Sequence, residues 1–165
     1  MAGDIFEKLS LFQGLEPEQL ELLRPIFIPC HFQADSTIFG QGELAGNLFI
    51  VVSGEVVVAF KPDDGPLITV ARVRPGSIVG WSAALGRQFY TSGASASVDT
   101  QLLRVRGTDL RQLFEQNSEI GEIILDRLAG LIAERLSITH PQVLALLNLG
   151  LRSTEYEETD NFRNG

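Results

Sequence analysis

Residues 75–98 read PGSIVGWSAALGRQFYTSGASASV, and the rest of the chain is arranged around them. Pro75-Gly76 places a residue of fixed φ beside one free to take positive φ, which marks a turn. Ser77-Ile78-Val79-Gly80 then reads as a short buried strand closed by a glycine. Trp81-Ser82-Ala83-Ala84-Leu85-Gly86 suits one or two helical turns, whose first N–H groups lack intrahelical acceptors and can face an anion. Ser92, Ser95 and Ser97 alternate along a small-residue strand with no histidine nearby, so no nucleophilic triad is suggested. Taken alone, strand, glycine and short helix fit a packed corner as well as a binding site.

Upstream of this stretch the chain is rich in short strands. Segments 28–33 and 36–39 read as the first two, closed by Gly40-Gln41-Gly42. Segments 48–52 and 56–60 are apolar at nearly every position and are expected to bury both faces, with Ser53-Gly54 as the hairpin between them. Lys61-Pro62-Asp63-Asp64-Gly65-Pro66 makes the next hairpin loop, and 67–73 returns with Arg72 and Arg74 toward solvent. Asp63 and Asp64 beside Pro62 and Gly65 are turn residues rather than a catalytic pair. A strand ends at Leu102-Leu103-Arg104-Val105. So many short strands with close turn signals point to a sandwich or barrel.

Helices flank the strands. Apolar residues Ile5, Phe6, Leu9, Phe12, Leu15, Leu20, Leu23 and Phe27 read as two short helices split at Gln13-Gly14, with Pro17 in a first turn. Residues 108–116 form another, and Asn117 is a fitting N-cap for a long helix to Leu136 with Glu119 and Glu122 in its first turn. Its stripe holds Ile120, Ile124, Leu128, Leu131 and Ile132, while Leu125 and Leu136 widen the apolar surface beyond one packed face. Gly121 and Gly130 each cost about 1 kcal/mol of helix stability, which close packing would explain. Pro141 starts a last helix whose Val143, Leu144, Leu146, Leu147, Leu149 and Leu151 leave little polar face, so it needs a partner. The expected layout is a main domain at 1–136, an additional apolar helix at 137–152 and an acidic, mobile tail at 153–165.

Composition narrows the function classes. A chain of 165 residues with 44% hydrophobic content and 16 glycines suits one turn-rich β domain. Thirteen basic against 21 acidic residues give −8, so neither nucleic acid nor an anionic membrane is an expected partner. Cys30 is the single cysteine, the start Met-Ala-Gly-Asp has no basic n-region, and no apolar run approaches the length of a bilayer span, so a cytoplasmic protein is expected. His31 and His140 are far apart without cysteine or helical partners, which makes a poor metal site.

In order and spacing, Gly40-Gln41-Gly42-Glu43, Leu48 to Val56, Pro75-Gly76, the Gly80 element and Leu102-Leu103-Arg104-Val105 resemble the cyclic nucleotide-binding domain over about residues 6–136. The resemblance implies a mainly β fold with flanking helices, an eight-stranded jelly-roll barrel, with a long C-terminal helix that covers the ligand pocket and often pairs with its twin. It also implies a phosphate-binding cassette, here Gly80 through Ala94, and a cyclic nucleotide as the ligand; no other cofactor is suggested. The pocket residues so implied are Gly80, Trp81, Ser82, Ala83, Ala84, Arg87, Tyr90, Thr91 and Ser92, and the dimer helix is implied to use Ile124, Leu128, Leu131 and Ile132.

The cassette departs from the family pattern at its two polar anchors. Trp81 stands where the family has a glutamate on the ribose, and Tyr90 where it has an arginine on the cyclic phosphate. Since a hydrogen bond to a charged group is worth roughly 1.5–3 kcal/mol, losing both weakens binding by about a thousandfold or more. The expectation is a stand-alone regulatory domain, homodimeric, acting on an unidentified protein partner, with cAMP and cGMP binding weak or lost. The 25 residues after His140 are leucine-rich and acidic, unlike a winged helix-turn-helix. One alternative is a working receptor in which Arg87 and backbone amides hold the nucleotide. Another is an enzyme acting in the jelly-roll pocket, for which the clustered histidines and carboxylates are missing.

Overall fold

The structure, a computed structural model, describes residues 2–136 and 140–152. Residues 137–139, the Leu151 side chain and the 153–165 tail, all of which figure in the expectations above, lie outside the described residues. The strands are β1 Ile28–Phe32, β2 Thr37–Phe39, β3 Asn47–Ser53, β4 Val56–Phe60, β5 Ile68–Val73, β6 Ile78–Val79, β7 Gly93–Ala96 and β8 Thr100–Arg106. They form two four-stranded antiparallel sheets, ordered β1-β8-β3-β6 and β2-β7-β4-β5. The chain crosses between sheets at most connections, which is the jelly-roll pattern. Among the described residues no ladder joins the two sheets into a closed barrel.

That topology corrects one reading of the sequence. Ser53-Gly54 is not a hairpin: β3 and β4 belong to different sheets, and β3 pairs instead with β8, Phe49 opposite Arg104 and Val51 opposite Leu102. Gly54 turns the corner at φ 95°, so close to the neighbouring chain that a Cβ would fall on Thr100 and 2.6 Å from the Asp99 carbonyl oxygen. The one hairpin between consecutive strands of a sheet among the described residues is β4–β5, with Val56 opposite Val73 and Phe60 opposite Ile68.

The two faces of β3 enter different cores, which is why it carries no polar alternation. Leu48 and Ile50 join the layer beneath the helices, whereas Phe49 and Val51 point between the sheets with Phe39, Val56 and Tyr90. The parallel expectation for β4 does not hold: Val56 is fully buried, the next three residues are partly covered, and Phe60 is exposed. No described helix lies over the outer face of that sheet, so β4 lacks a second layer to bury against.

Among the described residues five helices form a layer on the first sheet's side, α1 Ala2–Lys8, α2 Pro17–Leu23, α3 Gly107–Gln116, α4 Ser118–Leu136 and α5 His140–Arg152, with a 3-10 turn at Ser10–Phe12 between α1 and α2. Pro17 opens α2 in its first turn, and Glu16 and Gln19 exchange side-chain and backbone bonds across that end. Arg127 of α4 donates to the carbonyl oxygens of Leu11 at 3.0 Å and Gln13 at 2.7 Å, satisfying the end of the 3-10 turn. The two α4 glycines are explained by close approach. A Cβ on Gly121 would sit 2.7 Å from the Phe114 ring, and one on Gly130 would sit 3.3 Å from the His140 ring of α5. There His140 also meets the Asp126 carboxylate at 3.0 Å.

The α4 stripe is used up within one chain. Ile124, Leu128 and Ile132 have no exposed surface and share a core with Phe12, Leu23, Val143 and Leu147, while Leu131 is partly buried. Within the chain, α5 and the N-terminal elements cover Ile124, Leu128 and Ile132. No helix among the described residues is long and apolar enough to cross a membrane.

Candidate functional site

Strand β6 delivers the chain into the cassette. Val79 pairs with Phe49, and Gly80 then adopts φ 80° and ψ 28°, the left-handed region that favours glycine. Space demands glycine as well, since a Cβ there would lie 2.9 Å from the Asn47 carbonyl oxygen and 3.2 Å from the Phe39 ring. The turn that follows is a single 3-10 turn, Trp81–Ala83, at the short end of the one or two helical turns expected.

Tyr90 is the centre of the site. Its ring stacks on Phe39 at 3.8 Å between centroids and 16° between planes, and Phe39 stacks in turn on Phe49 at 5.9 Å. Its hydroxyl donates to the Asn47 carbonyl oxygen at 2.6 Å and accepts the Asn47 N–H at 3.0 Å. Backbone bonds hold it in place: Tyr90 N–H to the Glu43 carbonyl oxygen at 2.9 Å, and Gly42 N–H to the Tyr90 carbonyl oxygen at 2.9 Å. Thus the Gly40-Gln41-Gly42-Glu43 turn closes against the segment that carries Tyr90. Burial pushes the phenol's pKa above its ordinary value.

Gly80, Trp81, Ser82, Tyr90, Thr91 and Ser92, six of the residues read from the sequence as pocket positions, line one cavity of about 70 Å³. Small-molecule pockets typically hold roughly 300–1,000 Å³. Ala83 and Ala84 are buried behind it, Ala84 in the core under the helices. Arg87 is exposed and does not line the cavity; its N–H is bonded to the Ser82 carbonyl oxygen. The receptor reading placed Arg87 on the nucleotide; here its side chain stands outside the cavity lining.

Four residues of the lining escaped the sequence reading, the apolar Phe39, Val58 and Val79 and one cation. Arg135, in the last turn of α4, lies with its guanidinium 4.7 Å from the centre of the Trp81 ring, and its Nη1 donates to the Ile78 carbonyl oxygen at 2.6 Å. It lines the same cavity, and burial pulls its pKa below the usual arginine value although it stays charged. Trp81 is accordingly half-buried, a wall roofed by a cation rather than a core residue. The signal was present: Arg135 stands three residues after Ile132 and so continues the buried face of α4.

A larger hollow of about 270 Å³ lies between the N-terminal helices, but its arginine, Arg24, is already 3.7 Å from Glu21. Among the described residues no cluster of three or more histidines, cysteines or carboxylates could hold a metal ion.

Residues 29–117 match the family model of the cyclic nucleotide-binding domain, more than half of the chain. The cyclic AMP receptor protein of Thermus thermophilus is 31% identical over 126 residues, covering 76% of this chain and 56% of the relative. The CRP-like cAMP-activated global transcriptional regulator of Mycobacterium tuberculosis is 26% identical over the same coverage. The chain therefore spans little more than half the length of these curated relatives. A cyclic nucleotide-binding domain from Methylobacillus flagellatus superimposes with a TM-score of 0.72 over 86% of this chain and 80% of that one; at 22% identity it speaks to the fold alone.

Proposed function

Since the chain belongs to the cyclic nucleotide-binding domain family, we propose that it is a regulatory domain in which cAMP and cGMP binding is weak or lost and which acts through protein contacts. The observation that carries this reading is Tyr90. At the position where the family resemblance places a phosphate-clamping arginine stands a buried phenol with its donor and an acceptor site committed to Asn47. Trp81, in place of the ribose-binding glutamate, offers one N–H donor and no acceptor. A cavity of about 70 Å³ also leaves little room for a nucleotide.

The protein contacts are assigned to the apolar surface that the fold leaves uncovered. Leu136 at the end of α4 and Leu146 and Leu149 on α5 are 41%, 44% and 52% exposed. On this reading the homodimer, or the docking of another protein, uses these leucines and not the buried α4 stripe. DNA is not a partner of this segment, given its charge of −8. Nor is catalysis assigned to it.

Isothermal calorimetry with cAMP and cGMP tests the ligand half of the proposal. Dissociation constants in the high micromolar range or weaker are expected; a low-micromolar constant for either nucleotide overturns it.

A further inference from the structure

Arg135 reaches the cavity with a guanidinium that has no carboxylate within ion-pair distance among the described residues. One bond to the Ile78 carbonyl uses part of a group with five N–H donors. Around it stand the hydroxyl-bearing Ser82, Thr91 and Ser92, and the aromatic walls Trp81, Tyr90 and Phe39. A half-buried cation without a counter-ion, beside hydroxyls and apolar walls, is the chemistry of an anion receptor.

We propose that this cavity binds a small monocarboxylate, its carboxylate on the Arg135 guanidinium and its short carbon body against the aromatic walls. The inference rests on the preceding reading, in which cAMP and cGMP are not the ligands, and supplies the input that a regulatory domain requires. Charge favours a monoanion, since one guanidinium balances one negative charge and no other cation lines the cavity, and the apolar Phe39, Val58, Val79 and Trp81 in that lining favour a carboxylate with a carbon body over a bare inorganic ion. Size selects within it. The cavity opens to solvent and holds about 70 Å³, less than half of the roughly 150 Å³ that encloses a benzene, so the portion of a ligand seated inside it is on the order of two to four carbons. The site differs from a phosphate-binding cassette, because its cation comes from the end of α4 and not from the segment before β7. Through the Arg135–Ile78 bond, occupancy bears directly on how α4 is fastened to β6.

Trp81, the sole tryptophan of the chain, reports on the site because Arg135 lies over its ring. The full chain is titrated with sodium propionate and sodium acetate, ionic strength being held with sodium chloride, and the Trp81 emission is followed; inorganic phosphate and cAMP are run in parallel. A saturable change with propionate is expected, with phosphate at least tenfold weaker. Arg135→Gln is expected to weaken propionate by tenfold or more, the ratio carried by one charged hydrogen bond. Emission that follows ionic strength alone, phosphate binding more tightly than propionate, or unchanged propionate affinity in Arg135→Gln overturns the inference. Should Arg135→Gln fail to fold, Arg135→Lys takes its place: it keeps the charge but loses the planar fork, so weakening supports the site and unchanged affinity overturns it. Silence toward both propionate and cAMP sinks this inference and leaves the preceding reading intact, whereas tight cAMP binding sinks both.

Discussion

The Tyr90 hydroxyl closes a two-way bond on a single residue, donating to the carbonyl oxygen of Asn47 at 2.6 Å and accepting its N–H at 3.0 Å. Asn47 begins β3, whose backbone pairs with β8 on one side, so this contact ties the cassette to the central strand pair of the first sheet. Tyr90→Phe keeps the ring on Phe39 and removes both bonds. It should destabilise the fold by about 1–3 kcal/mol, the cost of leaving partly buried backbone groups without a partner. Urea unfolding measures it; a change near zero means that water replaces the hydroxyl without loss.

The same burial sets a dependence on alkaline pH. Tyr90 has a raised pKa in the folded state, so between the unfolded and folded values the folded chain holds the proton that the unfolded chain gives up. Its contribution is complete below the ordinary tyrosine pKa of about 10 and is lost as pH rises through the folded value. Spectrophotometric titration of a Tyr156→Phe chain, which leaves Tyr90 as the one tyrosine, should show phenolate only above that ordinary range while folded. Phenolate appearing at the ordinary value in folded protein contradicts the assignment.

Much of the fold was legible because turns and burial leave local marks. Pro75-Gly76, Gly80 and the apolar run into Val51 each announce a boundary or a two-faced strand, and each stands where it was expected. Ser53-Gly54 was misread because a corner between sheets and a hairpin ask for the same glycine; what separates them is that β8, some fifty residues on, pairs with β3. The α4 stripe poses a related question. An apolar stripe states that something covers it, but not whether that cover is α5 or another chain. Tyr90 lines the cavity with the other residues read from the 75–98 stretch, yet its bond to Asn47 spans residues far apart in sequence, and no periodicity encodes such a contact.

Gly80→Ala should cost at least about 1–2 kcal/mol from left-handed backbone strain alone. The true cost should exceed that figure, because the added methyl lies 2.9 Å from the Asn47 carbonyl oxygen. Gly76→Ala provides the comparison, since its φ is also positive at 95° but nothing lies within 4 Å of its Cβ. Thermal melts should rank Gly80→Ala well below Gly76→Ala; equal losses would mean that the crowding is relieved by a small shift of β3.

Glutamate substitutions separate core leucines from surface ones. Leu128 is fully buried, so Leu128→Glu places an unpaired charge in the core and should abolish folding or yield insoluble protein. Leu146→Glu with Leu149→Glu falls on surface that is about half exposed, and should leave the melting temperature nearly unchanged while weakening self-association. Sedimentation velocity on both variants reads the difference. A folded monomer from the unmodified chain at high micromolar concentration removes the dimer half of the proposed function.

Trp81 and Arg135 form the last pair whose energetics can be read directly. Had the indole filled the pocket as core, its deletion would cost about 3–5 kcal/mol, the usual loss for a large buried aromatic. It is half-buried beneath a guanidinium 4.7 Å from its ring centre, so Trp81→Leu should cost less than that range. Arg135→Met keeps much of the side chain's length while removing the charge, which makes the two substitutions suitable for a double-mutant cycle. A partly desolvated cation over a tryptophan is worth about 0.5–2 kcal/mol, and the cycle should return a coupling of that size. A coupling indistinguishable from zero would show that Arg135 is held by the Ile78 carbonyl alone and that the indole merely lies beneath it.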